Sequence, residues 1–270
     1  MRRGSILDEL HEVGLLVALI PELEPIMGRV PYDIYHAYTA DVQSILAIDH
    51  LRAVTRGELA TEYPVISRCA AEQPRPVPVY VALLLHALGA GHPDDPARYA
   101  AAVAGPVSER LGLDAADASH VQWLIANQDR LYRWALRRDI SDPDTIAEIA
   151  REVETVDRLR DLYLFTFVNA STTNPTAITA WNVRMLRELW LRVSDLIETR
   201  GASSNHVRDR RDQVLKQTKS AEERVAIESF LAEMPERYLL ANAASDVLLH
   251  ERVANSRGEG PCVHVTSKAD

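Results

Sequence analysis

The chain has 270 residues, of which 47% are apolar and 26% charged, and its net charge is −9 at pH 7. This composition is that of a globular protein with enough apolar residues for a sizeable core. The acidic balance argues against a general nucleic-acid-binding surface, which needs a basic excess. No apolar run is long enough to cross a bilayer, and the N-terminus lacks the features of a secretory signal. Because Cys69 and Cys262 are too few for a disulfide framework, we expect a reducing, cytoplasmic setting. From the charge and hydropathy we expect neither nucleic acid nor membrane as a partner.

Helical periodicity runs along most of the chain. Ser5 begins a capping box that predicts a first helix through Leu16, and Thr39 precedes a longer amphipathic helix. A proline-rich segment then leads into VYVALLLHALG, whose nearly continuous apolar character predicts a buried central helix. Further helices are predicted at about 97–111, 114–128, 143–154, 155–171, 178–199, 219–232 and 236–255.

These elements predict an all-α fold, a helical bundle with a smaller C-terminal helical appendage. We expect one domain over residues 1–200, with its last helix closed by Gly201. Residues 201–258 are predicted to form a linker, GASSNHVRDRRDQ, and a helical segment. Residues 259–270 include PCVHVTS, which predicts the start of a strand or a disordered tail.

The order of several motifs resembles one protein family. These motifs are GLLVALIPELEPIMGRVPYDIYHAYTADVQSI, LLLHALGAG, WLIANQDRLYRWALRRDISDP and FTFVNASTTNPTAITAWNVRMLRELW. In sequence and spacing they resemble the HD domain of the bifunctional uridylyltransferase/uridylyl-removing enzymes that act on PII signalling proteins. MPERYLLANAASDVLLH is similar to the segment before that family's first ACT domain.

The resemblance implies an HD-like domain from the middle of a longer nitrogen-signalling protein. Its partners would be a nucleotidyltransferase domain before it and ACT domains after it in the parent chain, with a PII-type protein as a candidate further partner.

The resemblance also implies a hydrolytic site in which histidines and aspartates from several helices hold one or two divalent metals. Those ligand positions correspond here to Gln43, His86, Ala87, Pro96, Gln128 and Asn169. Only His86 keeps a strong ligand, because amides are weak neutral ligands and Ala87 and Pro96 offer none. We therefore expect a dismantled metal site with no catalytic residue and no cofactor, although the family would imply a divalent metal.

Other polar residues leave alternatives open. His86 is either a vestigial ligand or a hydrogen-bonded core residue. Two groups either supply replacement metal ligands or are structural: His92, Asp94 and Asp95 before a helix, and Asp33, His36 and Asp41 in YDIYHAYTAD. If a metal binds at all, we expect it at His86, His92 and Asp95.

Arg137 and Arg138, followed by Asp139, match the family's Arg-Arg-Asp motif. They could bind an anion through bidentate hydrogen bonds, or join two helices through ion pairs with Asp139 or Asp142.

Three functions are compatible with this sequence. We favour a catalytically degenerate HD domain that acts as a non-hydrolytic scaffold or regulatory module. The second is a metal-dependent uridylyl-removing phosphodiesterase with relocated ligands. The third is a metal-free module that senses a nucleotide or anion in a pocket near Gln43, His86, Gln128 and Asn169, assisted by Arg137 or Arg138.

Overall fold

A computed structural model of the chain describes residues 5–30, 37–173, 178–218 and 220–256. Asp33, His36 and the predicted strand within 259–270 lie outside the described residues. Every regular element within the described ranges is helical, which confirms the all-α prediction. Two of these helices are short 3₁₀ segments, Pro21–Ile26 and His86–Gly89. The α-helices are α1 Ile6–Glu12, α2 Leu15–Leu19, α3 Ala40–Thr55, α4 Pro64–Ala71, α5 Val77–Leu85, α6 Pro96–Arg110, α7 Ala115–Ala126, α8 Arg130–Arg137, α9 Pro143–Val153, α10 Val156–Thr173, α11 Ala180–Lys216, α12 Ala221–Glu233, α13 Glu236–Ala241 and α14 Ala244–Ser256.

The chain divides into two compact units, Met1–Ile197 and Glu198–Asp270. In the first unit α5 is the central helix and packs against α3, α7 and α10. Val79, Leu83 and Leu85 of α5 are fully buried. This burial confirms the prediction for the apolar stretch, because a helix that is apolar on every side has no face suited to water.

The second unit has a smaller apolar cluster of its own. Its buried members are Val214, Ile227, Leu231, Leu239, Ala244, Val247 and Leu248. Within the described residues of the whole chain, no helix combines the length and the apolar character needed to cross a membrane.

Glycine accounts for two differences from the predicted helices. Gly14 has a φ of 75°, a left-handed conformation, and separates α1 from α2 where the sequence predicts one helix. Gly201, in contrast, does not end the long helix: α11 continues to Lys216 through much of the predicted linker. A Cβ at Gly201 would meet no atom within 4 Å, and an interior glycine costs a helix only about 1 kcal/mol.

Further differences concern short helices. The predicted helices include neither α4 nor α8, although the buried residues Leu131, Trp134 and Ala135 of α8 have the i, i+3, i+4 spacing of an amphipathic helix. The single helix predicted over 236–255 is divided at Asn242, whose backbone is extended.

The segment between α5 and α6 is tightly packed. Asp95 is the N-cap of α6, and Pro96 occupies its first turn. A Cβ on Gly89 would lie 1.8 Å from the backbone oxygen of Pro96, so only glycine fits this position. This contact holds the end of the 3₁₀ helix against the start of α6 and positions His86 at the end of α5.

Candidate functional site

Two of the six predicted ligand positions meet between α3 and α10. Gln43 is buried, with 4% of its surface exposed. Its Nε2 donates to Asn169 Oδ1 and to Thr173 Oγ1, both at 3.0 Å. Asn169 and Thr173 lie one turn apart on α10, so one amide group bonds to two neighbours on the facing helix. The result is a neutral hydrogen-bonded cluster at a place where the family resemblance implies a metal ligand from each helix.

His86 is a buried residue that contacts both its own helix and α10. Its Nδ1 lies 2.8 Å from the backbone oxygen of Leu83, so Nδ1 carries the proton and donates. Its ring also packs edge-to-face against Phe165, with 5.8 Å between the ring centroids. A bond from one ring nitrogen to a backbone carbonyl is common in histidines that bind metal through the other nitrogen. The arrangement therefore suits both a vestigial ligand and a core histidine.

The other predicted positions contribute no strong ligand. Ala87 is partly buried in the 3₁₀ helix, and Pro96 is exposed at the start of α6. Gln128 lies just after α7, where its backbone N–H donates to Ile125. Within the described part of the chain, no side-chain hydrogen bond joins Gln128 to Gln43 or Asn169.

The residues suggested as replacement ligands near α6 have structural contacts. His92 stacks on Tyr99, with ring centroids 4.3 Å apart. Asp95 accepts a hydrogen bond from the backbone N–H of Arg98 at 3.0 Å and thereby caps α6. Both contacts are those of an ordinary helix start.

Asp41 pairs with a histidine from α1. Its Oδ2 lies 3.3 Å from His11 Nε2 and accepts a hydrogen bond from the backbone N–H of Gly28. His11 is thirty positions away along the chain, so no local spacing indicated this pair. Across the ranges that the structure describes, no group of three or more His, Cys, Asp or Glu side chains is placed to hold a metal ion.

The residues at the family-implied metal positions do not fit a divalent metal. Gln43 and Asn169 are neutral and bonded to each other, and Ala87 has no donor atom. A dication needs compensating negative charge when it is buried, and His86 supplies none.

Arg138 forms an ion pair that joins α8 to α9. Its Nη1 and Nη2 donate to Glu148 Oε1 and Oε2 at 3.0 and 2.7 Å. The hydrogen bond from Arg138 lowers the pKa of Glu148, which keeps this carboxyl ionised. The partner is therefore Glu148 rather than Asp139 or Asp142; Asp142 instead caps α9 through the backbone N–H groups of its first turn. Arg137 is exposed.

A partly buried polar cluster, which no sequence motif indicated, joins α7 to α10. His120 Nε2 lies 2.7 Å from Asp161 Oδ2, and Gln73 Nε2 donates to Asp161 Oδ1 at 2.6 Å. Asp161 is 7% exposed. These residues are 41 and 88 positions apart in sequence, so only the tertiary fold brings them together.

No model of a known protein family matches the sequence. The chain is nevertheless similar to proteins named bifunctional uridylyltransferase/uridylyl-removing enzyme. It is 36% identical to the one from Ruegeria pomeroyi over 183 residues, which are 68% of this chain and 20% of that protein. Identity is 33% over 206 residues with the Gluconobacter oxydans protein, or 74% of this chain and 22% of that one. Identity with the Azotobacter vinelandii protein is 29% over 255 residues, which are 90% of this chain and 28% of that protein.

The matched region thus spans less than a third of the length of these relatives. It includes the helices that carry Gln43, His86 and Asn169 in the alignment that covers 90% of this chain. These similarities place the chain in the family of the bifunctional uridylyltransferase/uridylyl-removing enzymes, as a relative of one segment of those longer proteins.

Proposed function

We propose that this chain is a non-hydrolytic, HD-like helical domain that acts as a scaffold or regulatory module in a PII-uridylyltransferase-like protein. The hydrogen bond between Gln43 and Asn169 is the observation that carries the proposal. Two helices that would each present a metal ligand are instead bonded to each other through neutral amides.

The chemistry of the remaining groups supports the absence of hydrolysis. Hydrolysis of a phosphodiester needs a water molecule activated by a metal or by a general base. Amides do not titrate near neutral pH, so neither Gln43 nor Asn169 can act as a general base. The Gln43–Asn169 cluster therefore provides neither a strong metal ligand nor a base to activate water.

A helical domain can keep its fold after such losses, because the fold depends on the apolar core and the activity on a few side chains. In this proposal the domain joins a nucleotidyltransferase domain and ACT domains in the parent chain. A PII-type protein is the candidate external partner.

Metal content of the purified protein tests the proposal directly. We expect the protein, prepared without chelator and supplied with manganese, zinc or iron, to retain less than roughly a tenth of an equivalent of each by elemental analysis. A full equivalent of one metal that disappears in the variant His86→Ala/His92→Ala would refute the proposal and favour the relocated-ligand phosphodiesterase.

A rebuilt variant is the matched control. Gln43→His/Ala87→Asp/Gln128→His/Asn169→Asp introduces imidazole and carboxylate groups at four of the six positions where the family resemblance implies a ligand. If these positions were once the metal site, this variant gains close to one equivalent of metal and loses it again when His86→Ala is added. Failure of the folded variant to bind metal would show that the positions do not form one site.

A further inference from the structure

A cavity of about 340 Å³ opens between α8 and α9 in the first unit. Three arginines of α8, the arginine directly after it and two glutamates of α9 line it: Arg130, Arg133, Arg137, Arg138, Glu148 and Glu152. None of Gln43, His86, Gln128 or Asn169 is among its lining residues. Its volume is at the lower end of the range typical of small-molecule sites.

Two ion pairs fix the walls of this arginine cavity. Arg130 lies 2.7 Å from Glu152, and Arg138 lies 2.7 Å from Glu148. The two glutamates are one turn apart on α9, so they tie both ends of α8 to the same face of the neighbouring helix. The guanidinium of Arg130 also lies over the ring of Trp134, 5.3 Å from its centroid. These contacts hold two of the four arginines in place.

The other two arginines carry charge that the cavity does not neutralise. Arg133 and Arg137 lie one turn apart on the exposed side of α8. Among the described residues, neither has a carboxylate within ion-pairing distance, whereas Arg130 and Arg138 each have one. The lining therefore has two positive charges in excess, in a chain whose net charge is −9. Such a concave positive patch attracts anions.

We propose that the arginine cavity binds a phosphate group, either free phosphate or a phosphate monoester, through Arg133 and Arg137. A phosphate dianion matches the two uncompensated charges. A guanidinium group can donate two parallel N–H bonds to two oxygens of one phosphate, so two arginines can bind the same phosphate group. Arg138, which the sequence suggested as an anion ligand, is ion-paired with Glu148 and forms part of the cavity lining. The site contains no residue of the predicted metal cluster, so it is independent of the proposed loss of hydrolysis.

Isothermal titration calorimetry with inorganic phosphate, at low ionic strength, tests this site on the whole chain. We expect one saturable site, and binding weakened at least about tenfold in the variant Arg133→Gln/Arg137→Gln. The matched control, Arg208→Gln/Arg211→Gln, removes two exposed arginines one turn apart on α11 and is expected to bind like the wild type. An absence of saturable binding, or equal loss in both variants, overturns the proposal.

A second variant changes the cavity in the opposite direction. Glu148→Gln removes the carboxylate that neutralises Arg138, so it is expected to tighten phosphate binding about threefold to tenfold. Unchanged or weaker binding by this folded variant contradicts a site governed by the cavity charge, and it does so even if Arg133→Gln/Arg137→Gln fails to fold.

A second titration with a nucleoside 5′-monophosphate identifies the source of the phosphate. Equal affinity for the two ligands assigns the site to the phosphate group alone. Affinity at least about tenfold higher for the nucleoside monophosphate assigns it to a monoester whose organic part also contacts the cavity.

Discussion

Gln43 shows how one buried amide can join two helices. Its side chain is almost fully buried and donates to two oxygens of α10. A buried amide is expensive to leave unpaired but contributes only modestly when its bonds are made. The contribution of Gln43 is therefore best measured together with that of its partner Asn169.

We predict that Gln43→Ala lowers the free energy of unfolding by about 1–3 kcal/mol, because Asn169 and Thr173 lose their donor. Asn169→Ala should destabilise the Gln43→Ala variant less than it destabilises the wild-type protein. We expect this difference, the coupling energy, to be about 0.5–1.5 kcal/mol. Urea unfolding of the two single variants and the double variant measures this coupling. The exposed Gln217→Ala is the control, with an expected change within about 0.5 kcal/mol. Strictly additive costs at positions 43 and 169 would contradict the bond.

Cys69 is a buried thiol in α4. Burial raises the pKa of Cys69 from its ordinary 9.0 to about 11. Because the thiolate is the reactive form, its fraction at pH 8 is about a hundredfold lower in the folded chain than in the unfolded chain. In the variant Cys262→Ser, we expect a disulfide reagent to modify Cys69 at pH 8 at least about a hundredfold more slowly in buffer than in urea.

The same pKa sets the direction of a pH effect on stability. The unfolded chain loses the Cys69 proton first, so this group favours unfolding progressively as the pH rises above 9 and through 11. Equal modification rates in buffer and urea would show that Cys69 is not protected by the fold.

At the scale of elements, two glycines have opposite roles in their helices. Gly89 ends the 3₁₀ helix after α5, where a Cβ would collide with the backbone of Pro96. Gly201 lies inside α11, where a Cβ would meet open space. The same substitution therefore tests a tight contact between elements in one case and backbone entropy in the other.

We predict that Gly89→Ala lowers the free energy of unfolding by about 1–3 kcal/mol, because the backbone of α6 must shift to admit a methyl group. Gly201→Ala should raise the stability of its helix by about 0.5–1 kcal/mol, since alanine restricts the unfolded chain and adds no clash. Thermal and urea unfolding of both variants measure the two signs. Destabilisation by Gly201→Ala would indicate that α11 does not continue through this position.

At the scale of the whole molecule, the two units differ greatly in the size of their cores. The first unit contains a large apolar cluster that includes buried residues from α2 to α11. Among the described residues of the second unit, the apolar cluster has seven buried members. Since apolar burial is the main favourable contribution to folding, the second unit is expected to open more readily.

Hydrogen exchange of the native protein tests this difference. We predict faster exchange for amides in α12 and α14 than for those in α5 and α10. Ile227→Ala truncates a fully buried side chain of the small core. It should lower the opening free energy measured by hydrogen exchange in α12 and α14 by about 2–4 kcal/mol. Leu162→Ala, which truncates a fully buried side chain of α10, is the matched control. It should lower amide protection in the first unit. Loss of protection throughout the chain in Ile227→Ala would show that the units open together.

Much of the helical architecture can be predicted from the sequence because it depends on local spacing. The apolar run that becomes α5 and the Asp-Pro start of α9 are examples. Helix ends were less predictable: Gly14 breaks a helix and Gly201 does not, because the backbone conformation at each glycine is set by its surroundings. The sequence offered helix capping as one interpretation of Asp95, and the structure has that cap. The stacking of His92 on Tyr99 could not be predicted, because no local pattern indicates it.

The sequence by itself determined the chemistry available at each position. Ala87 and Pro96 have no ligand group and Gln43 and Asn169 are neutral, whatever the fold, because donor atoms and charge belong to the residue. Only the tertiary structure decided which groups meet: Gln43 with Asn169 across 126 positions, Arg138 with Glu148 rather than Asp142, and His120 with Asp161. It also placed Arg133 and Arg137 in the lining of a cavity where, among the described residues, the two glutamates pair with Arg130 and Arg138 instead. Such contacts depend on which faces of distant helices pack together, and that is set by burial of the whole apolar core rather than by local spacing.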